Sequence, residues 1–121
     1  MSQNIGYYIT GLKEKNRLLD QHVEELPKLA QNKSEAEYAY DVALAKCILQ
    51  FRADGEPVSI INKLAAGDSL VANLKLKAEI AKGIYDAKKA AIKSVHVAID
   101  TYRSLLSFAK EEIIRLQGGI E

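Results

Sequence analysis

The stretch Phe51–Val58, FRADGEPV, separates two long heptad patterns and therefore decides the fold. Gly55 can adopt the left-handed conformation that closes a helix, and Pro57 prevents the helix from resuming at once. Upstream of this turn, one heptad frame holds over seven repeats, which predicts a long helix with one narrow apolar stripe. Its two rows are Ile5, Leu12, Leu19, Leu26, Lys33, Tyr40, Cys47 and, four residues after each, Ile9, Asn16, Val23, Ala30, Glu37, Leu44, Phe51.

Downstream of the turn, residues 59–66 form a short apolar segment, with Ile60, Ile61 and Leu64 predicted on one side. Asp68 can then accept an orphan backbone N–H as the N-cap of a second long helix. This helix again repeats every seven residues, which predicts a matching seam. Its rows are Val71, Ala78, Tyr85, Ile92, Ile99, Leu106, Ile113 and Leu74, Ala81, Lys88, Val95, Tyr102, Ala109, Leu116.

Two long helices joined by a short connector predict an all-α antiparallel hairpin, coiled-coil-like, with a short helix at the turn. We expect one helical domain over 1–121, with helices at about 4–53, 59–66 and 68–117. Pro27 interrupts the first pattern, but the unchanged heptad phase favours a kinked continuous helix over two helices separated by residues 28–33. The predicted levels pair Leu26 with Val95, Leu19 with Tyr102, and Leu12 with Ala109.

The apolar stripe is wider than a two-helix seam needs, which predicts a homo-oligomeric helical bundle. The widening positions are Leu18, Ile48, Leu49, Ile80, Ile84, Leu105, Phe108 and Ile114. The residues predicted to form the oligomer seam are Leu19, Leu26, Tyr40, Leu44, Ile92, Val95, Ile99 and Tyr102.

Composition favours a soluble helical protein and gives little sign of catalysis. The 121 residues are 48% hydrophobic and 27% charged with a net charge of +1, so no overall charge field points to nucleic acid or lipid. One cysteine excludes an intrachain disulfide, and with two histidines it makes a zinc site improbable. We expect no membrane span, no export signal and a cytoplasmic location.

The motif search predicts no enzyme, no catalytic residues, no metal and no cofactor. The chain has no Gly-rich phosphate loop, nucleophile elbow or metalloprotease motif. Cys47 lies on the seam, where a small buried apolar role is more common than a nucleophile. His22 and His96 are typical of solvated surface histidines, although the predicted register would also bring His96 level with Glu25.

Polar residues interrupt the seam at Lys33, Glu37 and Lys88, which the predicted register places at one level. We interpret them as a polar layer that fixes register, with an anion-binding site as the alternative. Residues 75–93 also carry six lysines against two acidic residues, a local charge of +4 that could be a solvated face or could hold phosphates. The candidate ligand-binding residues are Lys33, Lys88, Lys89, Lys93, Tyr85 and Arg103.

Four short stretches in the middle of the chain stand out, namely residues 40–46 (YDVALAK), the FRADGEPV turn, 64–68 (LAAGD) and 74–77 (LKLK). They resemble a family of small helical accessory proteins of temperate phages and prophages of Firmicutes. The similarity covers roughly residues 36–108. It implies a phage protein made in the bacterial cytosol, and the family supplies no catalytic residues. We therefore expect a non-enzymatic oligomer that binds a host or phage protein stoichiometrically, for example as an anti-defence inhibitor. The alternatives are sequestration of a small phosphorylated or nucleotide ligand between protomers, and a single-stranded nucleic-acid or recombination accessory role.

Overall fold

The computed structural model describes the backbone of residues 2–120 and the side chains of residues 4–118. Three helices follow one another, α1 at Ser2–Ala53, α2 at Val58–Ala66 and α3 at Ser69–Ile120, and the described residues form no strand. The prediction of an all-α chain in which two long helices pack against each other is confirmed. Helix α1 is continuous through Pro27, as the unchanged heptad phase predicts.

The turn after α1 has the hydrogen bonds of a Schellman motif. Gly55 has φ +82°, its N–H donates to the Arg52 carbonyl at 3.1 Å, and the Glu56 N–H donates to the Phe51 carbonyl at 3.1 Å. A positive φ favours glycine because other residues would crowd their Cβ against the backbone. At the start of α3, Asp68 Oδ2 accepts the Val71 N–H at 3.1 Å, which confirms the predicted N-cap.

Two of the three residues predicted on the inner side of the short helix α2 are covered, and the third is not. Ile61 and Ala65 are buried and Leu64 is half-buried, whereas Ile60 is 40% exposed. Ile61 and Ala65 are four residues apart and therefore lie above one another on the helix. Hydrophobicity alone groups Ile60 with Ile61 and Leu64, but Ile60 lies one residue away from the buried row.

The chain divides into two compact units. Unit 1 comprises residues 1–25 and 88–121, and unit 2 comprises residues 26–87. Each has a small apolar core among the described residues. The buried side chains of unit 1 are Val95 and Ile99, and those of unit 2 are Ile61, Ala65, Val71 and Ala78.

The long helices pack one heptad away from the predicted register. In unit 1 the Tyr102 ring lies against the backbone at Gly11, next to Leu12 and not at the predicted Leu19. In unit 2 a groove brings Ile84 beside Leu29 and Asn32, whereas the predicted register set it near Glu37. A slip of seven residues keeps the same rows in the seam, so the heptad pattern could not distinguish the two registers.

The start of α3 explains this slip. Asp68, the residue before α3, lines the same groove as Cys47, six residues before the end of α1 at Ala53. The residues of α1 beyond Cys47 therefore extend past the start of α3.

In unit 1 the second seam row of α1 is also different from the predicted one. Ile9, Asn16 and Val23 are exposed. The half-buried positions lie one residue earlier, at Tyr8, Lys15 and His22. The polar character of Lys15 and His22 hid this row from a hydrophobicity pattern, because a lysine stem can cover apolar surface while its ammonium reaches water.

Candidate functional site

Lys88 is the centre of a polar cluster in unit 1. Its Nζ donates to Glu25 Oε2 at 2.5 Å and contacts His22 Nδ1 at 3.0 Å. Lys88 comes from the inner row of α3, and its side chain is only 17% exposed, whereas Glu25 is 46% exposed. The cluster thus joins a cation that is largely withdrawn from water to a carboxylate at the rim of the seam.

The electrostatics of this cluster follow from its geometry. The hydrogen bond and the charge of Lys88 lower the pKa of Glu25 below its ordinary value. An ammonium group has only donors, so His22 Nδ1 must present its lone pair to Lys88, which leaves the ring proton on Nε2. An anionic ligand at Lys88 would have to compete with Glu25, so the geometry favours a structural role over an anion site.

Lys33 has its own partners in unit 2. Its Nζ lies 3.0 Å from Glu37 Oε1, one helical turn away, and 5.8 Å from the centre of the Tyr85 ring. The prediction that Lys88 shares a level with Lys33 and Glu37 is therefore wrong, because Lys88 pairs with Glu25 while Glu37 pairs with Lys33. The cation–π contact keeps the Tyr85 ring engaged within the seam.

The remaining candidate ligand residues lie on the surface of α3 in unit 1. Lys89, Lys93 and Arg103 are exposed, and His96 is also exposed. The predicted proximity of His96 to Glu25 is replaced by the contact between Glu25 and Lys88. Lys88 differs from them, because its side chain is 17% exposed and its ammonium is paired with Glu25.

Of the residues predicted for the oligomer seam, two are already covered within the chain. Val95 is 6% and Ile99 is 4% exposed. The others are half-buried, namely Leu19, Leu26, Tyr40, Leu44, Ile92 and Tyr102. The intrachain seam thus uses these residues, and the exposed apolar residues lie elsewhere.

Cys47 lies in an apolar groove of unit 2. Val42, Ala43, Phe51 and Leu70 line this groove with it, and its volume is about 610 Å³. Burial, and to a lesser extent the charge of Asp68, raise the pKa of the Cys47 thiol. A raised pKa keeps the sulfur protonated and therefore a poor nucleophile. The described residues contain no group of three or more side chains that could hold a metal ion.

A tyrosine cluster in unit 1 was missed by the sequence reasoning. The ring of Tyr7 lies 5.9 Å from that of Tyr8 and 6.5 Å from that of Tyr102. The electrostatic effect of Tyr7 and, after it, burial raise the pKa of the Tyr102 hydroxyl. A Cβ on Gly11 would lie 2.5 Å from Cε1 and Cζ of Tyr102, so this close approach requires glycine. The glycine at position 11, next to the seam residue Leu12, was the signal in the sequence that could have indicated this close contact.

Large apolar side chains are exposed on α3 in both units. In unit 2, Leu70 is 59%, Ile80 53% and Ile84 51% exposed. In unit 1, Phe108 is 62% and Leu105 39% exposed. A second apolar groove of unit 2, lined by Leu29, Ala81, Ile80 and Ile84 among others, lies beside two of them. Surfaces of this kind are typical of contacts with other proteins.

Within the described residues, no helix is both long and apolar enough to span a membrane. Comparisons with protein-family models, with curated proteins and with solved structures return no match to this chain.

Proposed function

We propose that this chain is a non-enzymatic, self-associating helical protein that acts by binding a protein target stoichiometrically. The observation that carries the proposal is the amount of apolar surface left uncovered on α3, where Ile80, Ile84 and Phe108 are each more than half exposed. Such side chains are costly to leave in water, at about 25 cal/mol per Å². Contact with other chains removes that cost.

The total exposed surface of the chain supports the same proposal. The chain exposes 8717 Å² of surface. A compact monomer of 13.4 kDa exposes about 6,500 Å², so the excess is about one third. Specific protein interfaces bury about 800 Å² on each partner, so this excess is larger than one such interface would cover.

The polar groups in the seam support a binding role over catalysis. The raised pKa of Cys47 disfavours a thiolate nucleophile, and Lys88 is held by Glu25 and His22. A catalytic constellation needs a nucleophile or base together with an orienting group and a stabiliser of developing charge. Neither Cys47 nor Lys88 has such companions among the contacts described above.

The kind of target is inferred from the sequence resemblance to phage accessory proteins. A phage accessory protein in a bacterial cytosol would act on a host or phage protein, and inhibition of a host defence protein is one form of this role. The exposed apolar residues are the parts of the chain that such a target could cover. No cofactor is required for binding of this kind.

Light scattering and a capture experiment test the proposal together. We expect a homodimer or larger assembly at micromolar concentration, and capture from host lysate of a protein that saturates at a fixed molar ratio. A matched pair of baits, wild type and a variant with one exposed apolar residue replaced by glutamate, separates specific from nonspecific capture. A 13.4 kDa monomer at every concentration would refute self-association. Turnover by a phosphohydrolase, peptidase or nuclease assay that one substitution abolishes would refute the non-enzymatic role.

A polyanion-binding role is the second candidate, because one row of α3 in unit 1 is basic. Lys89, His96, Arg103 and Lys110 recur every seven residues and are all exposed. Such a row could follow the phosphates of a single strand, in which case affinity would fall steeply with salt. Filter binding to labelled single-stranded DNA at 50 mM and 200 mM salt tests it, with Arg103→Gln as the variant and Arg115→Gln as the control.

A further inference from the structure

Helix α3 carries a second heptad stripe beside the seam that it shares with α1. In unit 2 this second stripe consists of Leu70, Asn73, Lys77, Ile80, Ile84 and Ala87. In unit 1 it consists of Ala91, Ser94, Ala98, Thr101, Leu105 and Phe108. The spacing alternates between three and four residues, as it does in a helix that packs along its length against a neighbour. A helix with two such stripes is built to contact two other helices.

The second stripe is almost free of charge. Lys77 is the one charged residue among its twelve members. The equivalent positions of α1 lie one residue before the rows that start at Ile5 and Tyr8, and five of these fourteen residues are charged, namely Glu14, Glu25, Lys28, Glu35 and Lys46. A solvated helix face would carry charges at a similar rate on both helices. The difference indicates that a partner covers this face of α3 and not the equivalent face of α1.

The sizes of the side chains along the stripe identify the partner. The unit 2 part contains the large residues Ile80 and Ile84, and the unit 1 part has the small residues Ser94 and Ala98 at the same distance from the midpoint. If two copies of α3 lie antiparallel about a two-fold axis between Ala87 and Ala91, Ile84 faces Ser94, Ile80 faces Ala98 and Leu105 faces Asn73. The stripe is therefore complementary to itself, which is the requirement for a two-fold interface.

The charge and polarity of the stripe agree with this pairing. The two-fold arrangement sets Lys77 opposite Thr101, whose hydroxyl oxygen can accept a hydrogen bond from the ammonium. The aliphatic stem of Lys77 can cover apolar surface at the same time. Leu70 faces Phe108 at each end, so large apolar pairs close the interface. Both Leu70 and Phe108 are more than half exposed in the single chain.

We propose that a second copy of this chain binds along the second stripe, so that the α3 helices of the two copies pack antiparallel at the centre of a four-helix dimer. The proposal rests on the self-association stated above and adds the surface and the register of the contact. It places Ile84 of one copy against Ser94 of the other and leaves the basic row of α3 outside the interface.

Sedimentation equilibrium from 1 to 100 µM tests the surface. We expect a dimer for the wild type and at least a 100-fold weaker association for Ile84→Glu. Leu76→Glu is the matched control, because Leu76 is 55% exposed on the same helix but lines a different groove, with Tyr40 and Lys75. It should keep the wild-type mass. Ile84 is itself 51% exposed, so its replacement removes few contacts within one chain.

The outcomes separate the surface from self-association itself. If the wild type associates and Ile84→Glu retains the same mass, or if the control dissociates equally, the second stripe is not the interface, although self-association stands. A wild type that stays monomeric overturns both. Circular dichroism accompanies each sample. Ile84→Glu could unfold while Leu76→Glu stays helical. In that case the proposal is supported if the melting temperature of the wild type rises with protein concentration, and it is contradicted if the melting temperature does not rise.

A cross-linking experiment tests the register. In a Cys47→Ser background, Ala91→Cys should form a disulfide-linked dimer under mild oxidation, because the two-fold axis lies close to this residue. Ala90→Cys is the control, since residue 90 is exposed and lies outside the stripe. In a parallel arrangement every residue of the stripe would face its own copy, so Ala98→Cys would cross-link as fast as Ala91→Cys. That result, or equally fast cross-linking of Ala90→Cys, would overturn the antiparallel pairing in this register.

Discussion

Gly11 allows the Tyr102 ring of α3 to lie against the backbone of α1, since the end of the ring occupies the space where a Cβ would lie. Tyr102 is also held by Tyr7, whose ring centre is 6.5 Å away. The ring therefore has little room to retreat from α1. Glycine is a weak helix former, and its presence inside α1 is explained by this contact.

Gly11→Ala should lower the free energy of unfolding by about 1 kcal/mol, because displacement of the Tyr102 ring outweighs the gain in helix propensity. Gly83→Ala is the control, since nothing lies within 4 Å of a Cβ there. It should raise stability by up to about 1 kcal/mol. Urea unfolding measures both. In a Tyr102→Leu background, Gly11→Ala should become stabilising, and a destabilisation that persists there would disprove the contact as the cause.

Lys88→Leu should leave stability unchanged within about 1 kcal/mol or raise it, because an apolar residue fits the seam and Glu25 can be solvated at the rim. The pH dependence should change more. The pKa of Glu25 is lowered in the folded chain, so its ion pair stabilises the fold above the unfolded pKa of about 4.3 and is lost as the pH falls below it.

Thermal melts from pH 2.5 to 7 test this at the Lys88 cluster. The wild type should lose stability towards acid, and Lys88→Leu should give a flatter curve. Lys93→Leu replaces an exposed lysine of the same helix and should keep the wild-type slope. An equal slope in Lys88→Leu and the wild type would show that the Glu25 pair does not contribute to acid sensitivity.

The helices themselves illustrate what a heptad pattern can and cannot predict. The periodicity, the FRADGEPV turn and the Asp68 cap were enough to predict three helices, because each depends on residues that are close in sequence. The register was not predictable in this way, since a slip of seven residues exchanges Leu19 for Leu12 against Tyr102 without exposing a single seam row. Only contacts outside the pattern, such as Gly11 with Tyr102, distinguish the two.

The same ambiguity of register explains why the contacts of the candidate site could not be predicted. Lys33, Glu37 and Lys88 were recognised as polar residues in the seam, and each is in an ion pair. Their grouping depended on the register and was wrong. His22 was assigned to the surface because the predicted inner row ran through Val23, and its contact with Lys88 could be seen only from the structure.

The turn between α1 and α2 gives a prediction at the scale of the element. Gly55→Ala should cost about 1–2 kcal/mol, because φ +82° places an L residue in the left-handed region. Gly55→Asn should recover part of this loss, since asparagine tolerates that conformation. Guanidinium unfolding measures both variants. If alanine and asparagine were equally harmless, the turn would not constrain the end of α1.

In the molecule as a whole, stability rests on few fully buried side chains, which lie in two separate units. Val95 of unit 1 is 6% exposed, whereas Val97, two residues along the same helix, is 59% exposed. Val95→Ala should cost about 2 kcal/mol, because it leaves a cavity beside Ile99. Val97→Ala should be neutral or slightly stabilising, as alanine is the better helix former. Similar losses for both in thermal unfolding would contradict the assigned core.

The one-heptad ambiguity of the seam also limits how the length of this chain can vary. Removing seven residues from the unit 2 part of α3 would keep the apolar rows of unit 1 in the seam, while Tyr102 and Lys88 would lose their present partners on α1. Removing three residues would turn charged rows inward along the rest of the helix. Insertions and deletions that survive in natural variants of this chain should therefore come in steps of seven, and the glycine opposite Tyr102 should move with them.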